Sequence, residues 1–170
     1  GGGDCLVAWS DRRDGGTDIF GSRVSPAGVV LDDAGTVISN AASIQDQPTV
    51  AYNGSSYVVA WTDARDSNTG NDIWGARVST AGAVLDPAGF PIAVAPNSQL
   101  NPAWACDTVN CLVAWADQRN GSDIYAARVS SSASVLDVVG IMLGVGTEPT
   151  VAFGGTDYLG AWTSVSIDSN

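Results

Sequence analysis

Residues 63–78 read DARDSNTGNDIWGARV, and the same ends frame DRRDGGTDIFGSRV at 11–24 and DQRNGSDIYAARV at 117–129. A segment that recurs with fixed ends and a middle of variable length is one supersecondary unit copied along the chain, so the repeat comes before any other reading. The tryptophans set its period. LVAW ends at Trp9, VVAW at Trp61, LVAW at Trp115 and LGAW at Trp162, in steps of 52, 54 and 47 residues. Each of the first three copies continues through Asp-Ile-aromatic (Asp18, Asp72, Asp123), Arg-Val (Arg23, Arg77, Arg128) and Val-Leu-Asp (Asp32, Asp86, Asp137). QPTVAY (47–52), NPAWAC (101–106) and EPTVAF (148–153) precede the next tryptophan.

Each period therefore holds four short strand candidates, exemplified by A (48–52), B (57–62), C (72–78) and D (83–85, extending toward 92). They are rich in Val, Ile, Tyr and Trp and bounded by Gly, Asn, Ser, Asp and Pro. Strand B, YVVAW, is apolar at consecutive positions instead of alternating, which predicts cover on both of its faces. No segment of ten or more residues carries a helical period. Four antiparallel strands in about 50 residues, the middle ones buried twice, is the pattern of a β-propeller blade. A β-sandwich is the main rival, but its strands alternate more cleanly and need no regular self-similarity. A parallel β-solenoid is a weaker one, because its repeat is shorter.

The stretch YVVAWTDARDSNTGNDIWGARVSTAGAVLDPAGFPIAVA (57–95) resembles the tandem blade-like repeats of large secreted and cell-surface bacterial proteins, which read LVAW-D-R, DIYG-RV, G-VLD and P-VA in that order. The resemblance covers nearly the whole chain and implies an all-β, propeller-like fold. The third copy, ARVSSSASVLDVVGIML, departs from it in lacking the glycine of the C–D turn. The expected units are a partial blade at 1–44 (B, C, D), full blades at 45–98 and 99–146, and a partial blade at 147–170 (A, B). That makes 13 strands and a little over three blades, fewer than the four to eight of a closed ring. Three solutions stand open: a fragment of a longer polypeptide, several copies completing one ring, or head-to-tail joining by strand complementation. All three leave sheet edges that invite a protein partner, as oligomer, filament or parent chain.

Composition narrows the function classes. The net charge of −11 comes from 17 Asp and one Glu against 7 Arg, with no Lys and no His. Asp is a turn former, whereas Glu and Lys populate helix surfaces, so this choice fits an all-β chain with Asp-decorated loops. Such an acidic surface repels phosphate backbones and argues against nucleic acid. The lack of histidine excludes Ser-His-Asp and Cys-His catalysis and His-ligated zinc within the chain. No run of about 18 apolar residues spans a membrane, and the opening GGGDCLVAW shows no signal peptide, so any export signal is expected upstream or already removed.

Cys106 and Cys111, in WACDTVNCLVAW, face one another if that segment is a hairpin with a four-residue tip; the alternative is two buried thiols. Cys5 has the same context, with its matching partner falling before Gly1. A hairpin disulfide implies an oxidising, extracellular or cell-surface setting.

The strand order puts the B–C loops on one face of the disc, together with Gln47, Asn101 and Glu148 at the starts of the A strands. In these loops Asp11, Arg13, Asp18, Asp63, Arg65, Asp72, Asp117, Arg119 and Asp123 form the candidate ligand face. Their structural reading is that the acids close hairpin ends and bond turn amides while the arginine neutralises them. The sharper reading is calcium held by Asp11, Asp14 and Asp18 or by Asp63, Asp66 and Asp72, although the spacing of a calcium loop is missing and an arginine sits among them. Phe20, Trp74 and Tyr125 pack between blades or offer a platform for stacking a sugar. Arg23, Arg77 and Arg128, too far from the hairpin acids, are expected to anchor the other face through backbone carbonyls or an acid of an adjacent blade. The expectation is a secreted, non-catalytic scaffold or a protein- or glycan-binding module. A glycosidase- or sialidase-like propeller is the alternative, but its active site breaks a repeat's symmetry, whereas these residues recur.

Overall fold

The computed structural model describes residues 3–13 and 15–164. They are all-β, with no helix among them: thirteen strands in four antiparallel sheets, each a simple meander. The first sheet is β1 (Cys5–Asp11), β2 (Asp18–Val24) and β3 (Thr36–Ser39). The second is β4 (Gln45–Tyr52), β5 (Ser56–Asp63), β6 (Asp72–Ser79) and β7 (Phe90–Ala93). The third is β8 (Gln99–Cys106), β9 (Asn110–Asp117), β10 (Asp123–Ser130) and β11 (Ile141–Val145). The fourth is β12 (Thr147–Phe153) and β13 (Tyr158–Thr163). Because there is no helix among the described residues, none is long and apolar enough to cross a membrane.

The sheets share their cores face to face. Leu6, Ile19 and Ile38 of the first sheet meet Tyr57, Val59 and Trp61 of the second. Val58, Ala60 and Ile92 on the other side of the second sheet meet Trp104, Val113 and Trp115 of the third. Successive residues of β5 thus feed two different cores, which is why YVVAW is apolar without alternation and all eight of its strand positions are buried. Each such side chain contributes about 1.5–3 kcal/mol when fully withdrawn from water. The first strands of consecutive sheets also lie against one another, β4 against β8 and β8 against β12.

One strand assignment is corrected. The fourth strand of the second sheet is Phe90–Ala93, whereas 83–85 contributes only an isolated bridge from Val84 to Val78. The chain reverses immediately after β6, where the amide of Gly82 bonds Ser79 O and that of Leu85 bonds Arg77 O. It then needs a second turn, with Gly89 N bonded to Asp86 O, before it can pair with β6. Gly89 takes φ 69° with the Trp61 ring beside it, so a side chain there meets both backbone strain and the indole.

The loops that follow the tryptophan strands, β1–β2, β5–β6 and β9–β10, share one end of the molecule with the links between sheets. Gln45 N bonds Thr17 O, Gln99 N bonds Asn71 O, and Gly146 N bonds Ser122 O. The common end expected for these loops and for the starts of β4, β8 and β12 is therefore observed.

Candidate functional site

At the loop end of the second sheet, Asp63 and Asp72 close the β5–β6 hairpin as a register pair. Side chains two residues apart on a strand share a face, so Trp61 and Asp63 point the same way and the indole Nε1 donates to Asp63 Oδ2 at 2.7 Å. Two residues further on, the Arg65 amide donates to Oδ1 at 2.9 Å. The Arg65 guanidinium grips both oxygens, Nε to Oδ1 at 2.9 Å and Nη2 to Oδ2 at 2.6 Å. Its Nη1 donates to Ala88 O at 3.0 Å, tying the loop to the turn before β7, and its plane lies 3.7 Å from the ring centroid of Trp74.

The same clasp is built twice more. In the third sheet Trp115 donates to Asp117, Arg119 grips Asp117 and reaches Val139 O, and its guanidinium covers Tyr125. In the first sheet Trp9, Asp11, Arg13, Ala34 O and Phe20 take these places. Burial pushes the Asp117 carboxyl up, but the bonds from Arg119 and Trp115 outweigh it and hold it below the usual carboxylate range. In the more open first clasp, Arg13 and Trp9 hold Asp11 well below that range. Carboxylates held ionised and bonded to guanidinium and indole N–H groups are poor proton shuttles.

The remaining loop acids go elsewhere. Asp72 is buried and accepts from Thr69 Oγ1 at 2.7 Å, and burial pushes its carboxyl up. Asp66 bonds Asn68, and Asp18 and Asp123 are buried at their hairpin ends. Asp14 lies outside the described residues. The calcium reading finds no assembled site, because among the described residues no group of three or more acids or cysteines is arranged to hold a metal ion. Asp11 and Asp63 are taken by their own arginines, which supply the positive charge a cation would bring. The sugar-stacking reading meets a similar obstacle. Phe20 is buried, and Trp74 and Tyr125 are half-buried with a guanidinium lying on each ring.

The opposite end carries a second set of pairs, and here an expectation is corrected. Arg77 does not seek an acid of a neighbouring sheet; its Nε and Nη2 grip Asp86 of its own sheet at 2.8 and 2.9 Å. Arg23 pairs with Asp32 and Arg128 with Asp137 in the same way. The expected backbone contacts are present, since Arg23 Nη1 reaches Thr80 O in the second sheet and Arg77 Nη1 reaches Ser131 O in the third. Arg128 holds the Asp137 carboxyl down at about 2. The signal that announces these pairs is the nine-residue spacing from Arg to Asp in all three copies, which the turn after the arginine-bearing strand folds back on itself.

Two further features were not foreseen. Gln45 and Gln99 are fully buried and donate Nε2 bonds to the carbonyls of the links that enter their sheets. Gln47, Asn101 and Glu148, read as members of the loop face, take φ of 56°, 53° and 53° at a bulge before proline. Gln47 Oε1 accepts from Thr62 Oγ1 and from the amide of Asn101 in the next sheet, so it links two bulges.

At the tips joining the first two strands, Cys106 and Cys111 form the expected disulfide. The corresponding register pairs are aromatic in the neighbouring sheets, Tyr52 with Tyr57 and Phe153 with Tyr158. Compared with known proteins, the chain matches no family model, no curated protein and no solved structure.

Proposed function

We propose that the chain is a non-catalytic β-propeller-like repeat module, with blades of about 50 residues, acting outside the cytoplasm as a scaffold or protein-binding element of a larger assembly. The observation that carries this reading is the threefold recurrence of a Trp-Asp-Arg clasp whose polar atoms bond one another. Residues repeated in three of the four sheets and spent on internal bonds hold a loop in shape; an active site needs groups that differ between copies and remain open to substrate. The side-by-side run of β4, β8 and β12 supports blades radiating from a common axis. The disulfide supports an oxidising compartment. At the two ends of the stack Val7 is 49% and Leu159 71% exposed, whereas their counterparts Val59, Val113 and Val58 inside it are buried, and this supports association through the outer faces.

Solution mass and particle shape test the reading together. Light scattering is expected to give a particle heavier than the 17.3 kDa chain, and electron images a curved array of sheets. A monomer imaged as two flat sheets packed together refutes it.

A further inference from the structure

In the second and third sheets the strand that carries the clasp tryptophan has a partner on each side, β4 and β6 around β5, and β8 and β10 around β9. In the first sheet β1 pairs with β2, and among the described residues no strand lies along its other edge. Register fixes what belongs there. Cys5 stands opposite Val24 as Cys111 stands opposite Val129, so Cys5 occupies the position of the disulfide-bonded Cys111. Cys5 is a free, exposed thiol. Beside it a cleft of about 650 Å³ separates the start of β1 from the end of β4, lined by Cys5, Leu6, Val50, Ala51, Tyr52 and Tyr57. A strand added to β1 would bring its last residues to this place beside β4, as β4 itself lies against β8. The floor is apolar, and all three strands of this type inside the chain bring a small residue to the matching position: Ala51, Ala105 and Ala152.

We propose that the free edge of β1 receives an extended peptide strand, running antiparallel to it, of the pattern Asn-Pro-Ala-apolar-Ala-Cys, whose cysteine is locked to Cys5. The strand's backbone supplies the ladder, its alanine enters the cleft beside Leu6, and its cysteine lies across from Cys5 as Cys106 lies across from Cys111. A low-molecular-weight disulfide such as oxidised glutathione is the oxidant. The Cys5 thiolate attacks one of its sulfurs and releases one glutathione thiolate. The strand's thiolate then attacks Cys5 Sγ in the mixed disulfide and releases the second, so two protein thiols are oxidised and one disulfide is reduced to two thiols. The inference rests on the proposed module reading only in taking the four sheets as copies of one unit.

The test uses the full chain and the synthetic peptide QLNPAWAC, the sequence of β8, in a glutathione redox buffer, read by intact mass. The expected product is a one-to-one adduct lighter than the sum of its parts by two hydrogens, absent in Cys5→Ser. It should form about tenfold or more faster than with a scrambled peptide that keeps its terminal cysteine, because docking raises the local thiol concentration. A peptide ending in serine should still slow amide exchange across residues 5–9. Equal rates for ordered and scrambled peptides, or glutathione on Cys5 with no peptide adduct, overturn the proposal. Either failure leaves the mass and shape test of the module reading untouched, so the two are told apart.

Discussion

The second and fourth sheets begin alike and end differently. Trp61 and Trp162 hold the same place in the repeat, yet Trp61 is fully buried with its indole on Asp63, whereas Trp162 is half-buried and donates to Val145 O. Ser164 stands where Asp63 would be, and Gly146 where the second sheet has the buried Gln45. Val58 is 3% exposed and its counterpart Leu159 is 71% exposed. The difference teaches that burial on both faces belongs to the sheets inside the stack, whereas the clasp follows the residues: the first sheet, with a single neighbour, keeps it through Asp11 and Arg13, and the fourth, with Ser164 in place of the acid, does not.

The largest expected effect tests this directly. Trp61→Ala should cost about 3–5 kcal/mol of unfolding free energy in urea, and Trp162→Ala only about 1–2 kcal/mol because half of that ring already faces water. Equal losses would break the contrast. Next comes the carboxylate. Asp63→Asn strips the charge from a fully buried group that faces the Arg65 guanidinium, and should cost about 3 kcal/mol. Asp11→Asn, in the open clasp of the first sheet, should cost clearly less on the same denaturation curve, since water already screens Arg13.

Much of this architecture is legible in the residues because it is local or periodic. The tryptophan spacing, the unbroken apolar run of β5 and the Cys-x4-Cys hairpin each depend on a few neighbouring positions, and each is found where expected. What stays hidden depends on how the chain turns between strands. The segment 83–85 has strand-like residues but is consumed by two successive reversals, so the fourth strand moves to Phe90–Ala93. The same reversals bring Asp86 back to Arg77, whereas strand geometry places only the hairpin acids Asp63 and Asp72 beyond its reach. Gln45 and Gln99 look like surface residues three positions before a proline, and only the link crossing over them makes them buried braces.

The hairpin tips offer a third comparison. Opening the Cys106–Cys111 bridge by a double change to serine should cost about 2 kcal/mol, the value for a short closed loop. The Tyr52–Tyr57 tip of the second sheet gives the control: reducing agent should lower stability through the third sheet alone, measured as faster amide exchange at the Cys106–Cys111 tip and unchanged exchange at the Tyr52–Tyr57 tip.

Acids in the second sheet should respond to pH with opposite signs. Arg77 holds the Asp86 carboxyl below its ordinary value, so its contribution is complete above the unfolded value near 3.8 and is lost as pH falls through the lower folded one. Burial raises Asp72, so the folded state binds the proton more tightly and its ionisation costs stability as pH rises from that same value. Across a series from pH 3 to about 7, Asp72→Asn should gain on the unmodified protein as pH rises, and Asp86→Asn should lose. Slopes of the same sign would contradict the assignment.

The smallest effect bears on the one turn where the repeat departs from its own pattern. Gly28 and Gly82 take φ of 78° and 87° in the reversal after the arginine-bearing strand, and the third sheet keeps the same turn with Ala133 at φ 67°. The turn bond is retained too, from Ala133 N to Ser130 O at 3.0 Å against Gly82 N to Ser79 O at 2.9 Å. The alanine therefore sits in a left-handed conformation that disfavours its Cβ by about 1–2 kcal/mol, partly offset by the greater freedom glycine loses on folding. Ala133→Gly should raise stability by about 0.5–1 kcal/mol, a few degrees in the melting midpoint. Gly82→Ala should do more harm than the reverse change does good, because its new Cβ lands 2.8 Å from Arg23 Nε and pushes on the arginine that ties the first sheet to the second. If the two substitutions prove equal and opposite, the backbone alone sets the turn and the contact between sheets at Arg23 adds nothing to it.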